Sequence, residues 1–356
     1  MFAVASGCGG AREPLAVKQV AQAAYVWQRN WTPGVREAVA HPLDALDGLH
    51  VLAAEVDAGA QGLTLVRLDQ VALALAHRPV TLVLRINGSR PIEGLSLAPV
   101  VALGDGLRAA GVDVVGLEVD HDCATARLAD YAAWLTAERP PAPWRFSITA
   151  LPTWAGSAGL AQVAHVVDDI VVQVHAVRAP TIFDANEAWA DLARFAGAAR
   201  STPLRVALPT YSAVVLGDEI GVDPDDVARF VRRLGTNPIA GVGGIVWFRL
   251  PVAGDEQTWS AATFARVVTA RAPDARARIE LVERGPDRFD VVVTNPSDSI
   301  VELPAVHIDG AIADAELVQG YRERKRGRWE PPRRALAANE QLVIGWIHGK
   351  DLELVE

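Results

Sequence analysis

Short apolar runs alternate with segments of helical periodicity between residues 24 and 250. Apolar runs of about four to eight residues that end at turn residues are typical of strands buried on both faces. We predict eight such strands, at 24–29, 49–56, 80–87, 114–123, 145–151, 169–175, 204–209 and 244–250.

Helical segments lie between these strands. One follows Thr125, places Leu128, Tyr131 and Leu135 on one face, and ends before Pro140. A residue such as Thr at the start and a proline at the end are ordinary helix boundaries. Strands that alternate with helices in this way indicate a parallel α/β fold.

The number of strands and the length of the segment favour a closed (β/α)8 TIM-type barrel over residues 21–270. The alternative is an open, doubly wound sheet. Such sheets usually carry a glycine-rich phosphate loop after the first strand, whereas this chain has Trp27-Gln28-Arg29-Asn30-Trp31 there. The sequence therefore favours the barrel.

The pattern changes after residue 270. The runs 279–283, 289–293, 299–303 and 342–347 alternate apolar and polar residues, with Gly-Pro-Asp at 285–287 and Asn-Pro-Ser at 295–297 between them. Alternation of period two with such turns is typical of antiparallel strands. We predict a small β-sandwich-like domain over 271–356, and a flexible tail over 1–20.

Composition excludes several functional classes. The net charge of -9 argues against a nucleic-acid partner, and no apolar run reaches the ~18 residues that a membrane-spanning helix needs. Small residues precede Cys8, as in the lipobox of bacterial lipoproteins, but none of the seven preceding residues is basic. If the true start lies upstream, we expect lipid attachment at Cys8 and location in the cell envelope. Otherwise, the tail is cytoplasmic.

Three acids end the fourth predicted strand at alternate positions: Glu118, Asp120 and Asp122. Because side chains alternate along a strand, all three project to the same side. Neighbouring carboxylates oppose one another's ionisation, so an arrangement of this kind is more typical of a site than of a structural strand. Glu118 lies deepest and is also a candidate buried partner for an arginine such as Arg85.

The active site of a β/α barrel lies at the carboxyl ends of its strands. Aromatic rings stack on sugar faces, while acids and amides bind hydroxyl groups, so the polar and aromatic residues at these ends predict an oligo- or polysaccharide site. No cofactor or metal is expected. The predicted substrate-binding residues are Trp27, Arg29, Glu55, Arg85, Trp154, Gln173, His175, Trp247 and Arg249.

Three stretches, 25–29, 118–131 and 147–154, resemble a bacterial family catalogued as a domain of unknown function and found often in lipoproteins. More distantly, the acid-bearing strand is similar to that of family 18 chitinase-like glycoside hydrolases, which carry Asp-x-Asp-x-Glu. This resemblance implies that Asp122 protonates the glycosidic oxygen, that Asp120 supports it, and that Tyr211 holds a sugar substituent. The last acid here is Asp122 rather than glutamate, one methylene shorter.

Other interpretations remain open from the sequence. Asp120 and Asp122 are candidates for ion pairs with Arg85 and Arg249, and the three tryptophans for core positions. A protein that binds glycans without cleaving them is one alternative function. A metal-dependent hydrolase using Asp120, Asp122, His121 and His175 is another, although no HExxH motif supports it.

Overall fold

The computed structural model of the protein describes residues 20–57, 62–88, 92, 94–178, 181–199, 202–215, 218–270, 276–297, 301–332, 335–337 and 339–355. Cys8 lies outside the described residues, so lipid attachment there stays a prediction. The chain divides into two compact units, one of residues up to 220 with Val227–Thr258, the other of Gly221–Asp226 with Trp259–Glu356. This division falls at residue 258, whereas the sequence places the boundary at 270.

Eight parallel strands form a closed barrel in the first unit, which confirms the predicted fold class. Their order around the barrel is β1-β11-β8-β7-β6-β5-β4-β2, and β1 pairs with β2 to close it. A short strand, β3, adds antiparallel to β2, and β9 pairs with β10 outside the barrel sheet. The strands are β1 (Ala21–Val26), β2 (Gly48–Val56), β3 (Thr64–Leu65), β4 (Val80–Ile86), β5 (Val114–His121), β6 (Arg145–Ala150), β7 (Asp169–Gln173), β8 (Leu204–Pro209), β9 (Ser212–Val215), β10 (Asp218–Gly221) and β11 (Val242–Phe248).

Helices separate the barrel strands, and local sequence explains where several begin. Thr32 caps the first helix by accepting a hydrogen bond from the Val35 N–H, and Pro33 occupies its first turn. Asp69 caps the second through the N–H groups of Val71 and Ala72. The helices are α1 (Pro33–Ala40), α2 (Gln70–Leu75), α3 (Ala98–Ala109), α4 (Leu128–Glu138), α5 (Gly159–Val166), α6 (Ala185–Ala199), α7 (Pro224–Thr236) and, in the second unit, α8 (Ala261–Val268).

Small apolar and aromatic side chains fill the middle of the barrel. The interior cluster consists of Ala23, Tyr25, Val83, Val171, Ala207 and Val246. Charged side chains lie above and below it, because residues that follow or precede this layer by two positions point to the same interior. Outside the barrel, helix α3 packs closely against Trp144 at Gly104, where a Cβ would clash with the indole ring.

The ends of several barrel strands differ from the prediction. Strand β5 ends at His121 rather than at 123, and β7 ends at Gln173 rather than at 175. The first strand spans Ala21–Val26 rather than 24–29, and the last spans Val242–Phe248 rather than 244–250. In both, an apolar residue (Trp27 or Leu250) occurs beyond the last hydrogen-bonded residue, so composition alone does not mark the end of the strand. As a result, Trp27, Arg29 and Arg249 lie beyond the last strand residue.

Antiparallel strands make up most of the second unit. A six-stranded sheet has the order β12-β13-β19-β15-β17-β16, and β14 pairs with β18. The long strand β15 was not predicted, because much of it is exposed and register shifts near Asp309 and Ile312 interrupt the alternation of its apolar residues. These strands are β12 (Arg278–Gly285), β13 (Arg288–Thr294), β14 (Val301–Glu302), β15 (Val306–Leu317), β16 (Arg322–Lys325), β17 (Arg328–Glu330), β18 (Ala335–Leu336) and β19 (Gln341–Leu354).

A separate core holds the second unit together. Trp329 and Ile347 are fully buried in it, together with Val291 and Ile308. Within the described part of the chain, no helix has the length and apolar character needed to cross a membrane.

Candidate functional site

Three acids project into the barrel interior at increasing exposure: two lie on strand β5, and Asp122 directly follows its last residue. Glu118 is fully buried, Asp120 is 5% exposed, and the Asp122 side chain is 42% exposed. The order follows their positions along the strand, since each step of two residues moves ~6.6 Å towards its carboxyl end. We call the rim at this end the C-terminal opening; it comprises Trp27, Arg29, Glu55, Asp57, Arg85, Asn87, Asp120, Asp122, Gln173, His175, Tyr211, Phe248, Arg249 and Asp255.

Glu118 belongs to an internal polar network and not to the opening. It accepts hydrogen bonds from the Tyr25 hydroxyl at 2.6 Å and from Ser147 Oγ at 3.3 Å, and His50 Nδ1 lies 3.1 Å from its Oε2. Burial alone would raise the pKa of Glu118, but His50, Arg205 and Tyr25 together hold this pKa below its usual range. The expected pairing of Glu118 with Arg85 is wrong, because Arg85 points to the acids nearer the rim.

Arg85 on β4 bridges the other two acids. Its Nη1 donates to Asp120 Oδ2 at 2.8 Å and its Nη2 to Asp122 Oδ2 at 2.7 Å. Register places it there, since Arg85 is the direct neighbour of Asp120 across the β4–β5 pair. This pairing was one of the alternatives that the sequence left open. The expected partner Arg249 is wrong, because it donates instead to both oxygens of Asp255, at 3.0 and 2.7 Å.

Asp120 has an unusual environment for a carboxyl group. Burial raises its pKa, and the nearby charge of Asp122 raises it further. Arg85 and the Thr149 hydroxyl, which donates to Asp120 Oδ1 at 2.6 Å, lower the pKa but do not cancel the rise. Asp120 is therefore the carboxyl of this pair whose environment favours the protonated form.

Aromatic rings form one wall of the opening around Phe248 at the end of β11. Its ring centroid lies 5.1 Å from that of Trp27, 5.5 Å from His175, 5.6 Å from Tyr25 and 5.7 Å from Tyr211. The peptide bond that follows Phe248 is cis. Phe248 was not predicted as a site residue. Alternation along β11 places Phe248 on the same face as Val246, but the sequence does not show that this face of an apolar strand points into the barrel.

His175 and Tyr211 contact each other at this wall. His175 Nδ1 lies 3.2 Å from the Tyr211 hydroxyl oxygen, and Gln173 Nε2 donates to the His175 carbonyl at 3.2 Å. Burial lowers the pKa of His175 to about 3 and raises that of Tyr211 to about 12. Both groups are therefore uncharged near neutral pH, and they offer polar atoms without net charge.

The structure does not bring Trp154 and Trp247 to the opening, although both were predicted to bind substrate. Each is fully buried, and their indole N–H groups donate to the Cys123 carbonyl at 3.0 Å and to Gln22 Oε1 at 2.9 Å. Trp247 precedes Phe248 on β11, so it points to the opposite face of the sheet. Both side chains fill the core between the barrel and its helices.

Ion pairs and amides complete the rim. Arg29 forms a two-pronged ion pair with Glu55, which is itself the neighbour of Arg85 across the β2–β4 pair. Asn87 accepts from Arg85 Nε and donates to Asp57 Oδ1, both at 3.2 Å. Arginines and carboxylates thus alternate around the opening, so each charge is compensated by a neighbour.

The described residues do not contain the ligand cluster that a metal-dependent hydrolase would need. Among the described residues, no three His, Cys, Asp or Glu side chains converge as metal ligands. His121 faces away from the acids and packs against Tyr131 of α4, with ring centroids 5.4 Å apart. Burial lowers the pKa of His121.

Part of the chain matches a known family. The family described as "Domain of unknown function (DUF3142)" matches residues 76–219, a range that contains β4 to β8 and the acid-bearing strand. This match confirms the resemblance inferred from the sequence, although the description names no chemistry. No curated protein matches the sequence.

Solved structures support the barrel fold. The spore cortex-lytic enzyme SleL of Bacillus cereus is 12% identical, with a TM-score of 0.53 over 71% of this chain and 74% of that chain. A GH18 chitinase from Pseudoalteromonas aurantia is 14% identical, with a TM-score of 0.44 over 64% and 93%. A xylanase and alpha-amylase inhibitor protein from Scadoxus multiflorus is 12% identical, with a TM-score of 0.43 over 71% and 99%. The similarity to SleL is one of fold, and no activity follows from it.

Proposed function

We propose that this protein is a carbohydrate-active barrel whose C-terminal opening binds an oligosaccharide. The observation that carries the proposal is the aromatic wall of Trp27, Phe248 and Tyr211 beside a ring of carboxylates and amides. Sugar rings present apolar faces and hydroxyl edges, and such a surface offers a partner to each. The position at the carboxyl ends of barrel strands agrees with this assignment.

The rim suits binding particularly well because its charges are already compensated. Arg85 holds Asp120 and Asp122, and Arg29 holds Glu55, so their side chains are fixed in place before a ligand arrives. A site that is ordered in advance loses less entropy on binding. The uncharged His175 and Tyr211 add polar atoms that need no counter-ion.

Phe248→Ala is expected to weaken oligosaccharide binding by about tenfold or more, because ring stacking on a bound ligand contributes about 1–3 kcal/mol. Titration calorimetry against chitin-type, peptidoglycan-type and neutral glucan oligosaccharides measures the effect. Phe289→Ala, a half-buried phenylalanine of β13 in the second unit, is the matched control. Equal affinity of the Phe248 and Phe289 variants for every glycan that binds would contradict the proposal.

Hydrolysis is the second candidate function, and the environment of Asp120 favours it. A general acid needs a raised pKa, and Asp120 has one, while Asp122 lies beside it and is more exposed. We therefore infer that any turnover uses both acids, with Asp120 as the proton donor.

If the protein cleaves a glycan, Asp120→Asn and Asp122→Asn are each expected to reduce kcat by about 10²- to 10⁴-fold, because general acid–base catalysis contributes that much. The measurement is release of reducing ends from the glycans that bind. Asp105→Asn, at an exposed acid of α3, is the control. Unchanged cleavage by both site variants rules out this mechanism. If the wild-type protein binds a glycan without cleaving it, glycan binding is its function and hydrolysis is rejected.

A further inference from the structure

A second cavity lies beside the opening, at the start of α1. Its volume is about 580 Å³, and all of its lining residues belong to the first unit. Arg29 connects it to the opening, because this side chain lines the cavity and also pairs with Glu55. The lining residues are Arg29, Asn30, Trp31, Thr32, Arg36, Arg67, Leu68, Asp69 and Gln70.

The charge of this cavity is opposite to that of the whole protein. Three arginines and one aspartate line it, in a chain whose net charge is -9. Asp69 is already engaged, since it accepts from Arg36 Nε at 2.8 Å and from two N–H groups at the start of α2. Arg67 is exposed and has no carboxylate partner among the described residues. Within the described residues, the positive charge of Arg67 therefore has no carboxylate to compensate it.

The cavity lining also contains a buried hydrogen-bond donor, the indole of Trp31. The Trp31 residue is 8% exposed, and its indole N–H has no acceptor within the described parts of the chain. Buried N–H donors are normally satisfied, so this indole lacks the acceptor that such groups usually have. Helix α1, which spans Pro33–Ala40, begins at the same wall and adds the partial positive charge of its first turn.

We propose that this cavity binds an anionic group, a carboxylate or a phosphate, of the glycan that occupies the C-terminal opening. Guanidinium groups bind both kinds of anion through paired hydrogen bonds. The inference rests on the proposed function and narrows it to acidic glycans, those that carry uronic acid or phosphorylated sugars. Arg67 and Arg36 then determine specificity, while the aromatic wall binds the sugar ring.

The experiment is calorimetric titration of the full chain with four probes: inorganic phosphate, glucose 6-phosphate, glucuronate and glucose. We expect at least one anionic sugar to bind more tightly than glucose. Arg67→Gln weakens that binding by about tenfold, because hydrogen bonds to charged groups are worth about 1.5 kcal/mol or more. Arg67→Lys keeps the positive charge but loses the paired N–H donors of the guanidinium group, and we therefore expect an intermediate affinity. Added salt weakens the anionic probes selectively.

Arg232→Gln is the matched control, since Arg232 is exposed on α7 and does not line the cavity. Tighter binding of glucuronate identifies the anionic group of the ligand as a carboxylate, and tighter binding of glucose 6-phosphate identifies it as a phosphate. The inference is overturned if no anion binds more tightly than glucose, or if the Arg67 and Arg232 variants bind the anion equally. The proposed function fails separately: phosphate binding that depends on Arg67, without binding of any oligosaccharide, supports the anion cavity and rejects the glycan site.

Discussion

Arg85→Met is expected to lower the free energy of unfolding by about 3 kcal/mol, because it leaves buried Asp120 without its counter-ion. Arg85 is the arginine that reaches both acids, and only 20% of its side chain is exposed. Urea denaturation near pH 7 measures the loss. Arg139→Met is the control, since Arg139 and its partner Asp168 are both more than a third exposed, and such pairs contribute less than about 1 kcal/mol.

A double-mutant cycle separates this ion pair from simple packing. In the Asp120→Asn background, Arg85→Met should cost only about 1 kcal/mol, because no buried charge is left unpaired. An equal cost in both backgrounds would show that the charge of Asp120 is not what Arg85 stabilises.

The Arg85 effect should also depend on pH. Arg85 lowers the pKa of Asp120, so its removal raises that pKa further. A carboxyl whose pKa is higher in the folded than in the unfolded state contributes stability at low pH, and this contribution disappears as the pH rises above about 3.9, the unfolded value. The deficit of the Arg85 variant should therefore be smaller at pH 4 than at pH 7.

His175 is expected to make the protein sensitive to acid. Its pKa falls from 6.5 to about 3 on folding, because burial disfavours the imidazolium. Below pH 6.5 the unfolded chain takes up a proton that the folded chain refuses, so stability falls by about 1.4 kcal/mol per pH unit. Between pH 7 and pH 4 this amounts to about 3 kcal/mol.

His175→Phe should remove this part of the acid sensitivity, since phenylalanine retains the stacking on Phe248 and does not titrate. The contact with Tyr211 is lost, which costs about 1 kcal/mol at every pH. The measurement is the free energy of unfolding at several pH values, compared between variant and wild type. His165→Gln, at an exposed histidine of α5, is the control. A wild-type slope that persists in the His175 variant would be incompatible with this origin.

Alternation along β5 was enough to place Glu118, Asp120 and Asp122 on one face and to rank their depth. Their partners depended on register between strands that lie far apart in sequence. Arg85 meets Asp120 because β4 pairs with β5 in one particular register. The Tyr25 hydroxyl donates to Glu118 across the barrel interior, although the two residues are 93 positions apart in the sequence. Neither contact leaves a signal in local sequence.

The aromatic residues show the same division. Trp27 and Tyr211 were predicted at the opening and lie there. Trp247 was also predicted there but lies in the core, and Phe248 occupies the position at the opening that was predicted for Trp247. Trp247 and Phe248 are neighbours on an apolar strand that is buried on both faces. Hydrophobicity therefore cannot distinguish the face of the strand that lines the barrel interior. Only closure of the sheet decides which of the two points inward.

The sequence by itself determined the number and order of the barrel strands, the antiparallel character of the last part of the chain, and the row of acids on β5. These features follow from periodicity, which is a local property of the chain. Tertiary structure alone decided that Arg85 joins Asp120 to Asp122, that Phe248 forms the wall, and that Arg67 and Trp31 meet at a second cavity. Each of these depends on which distant residues a closed barrel brings within a few ångströms, and local patterns do not encode such distances.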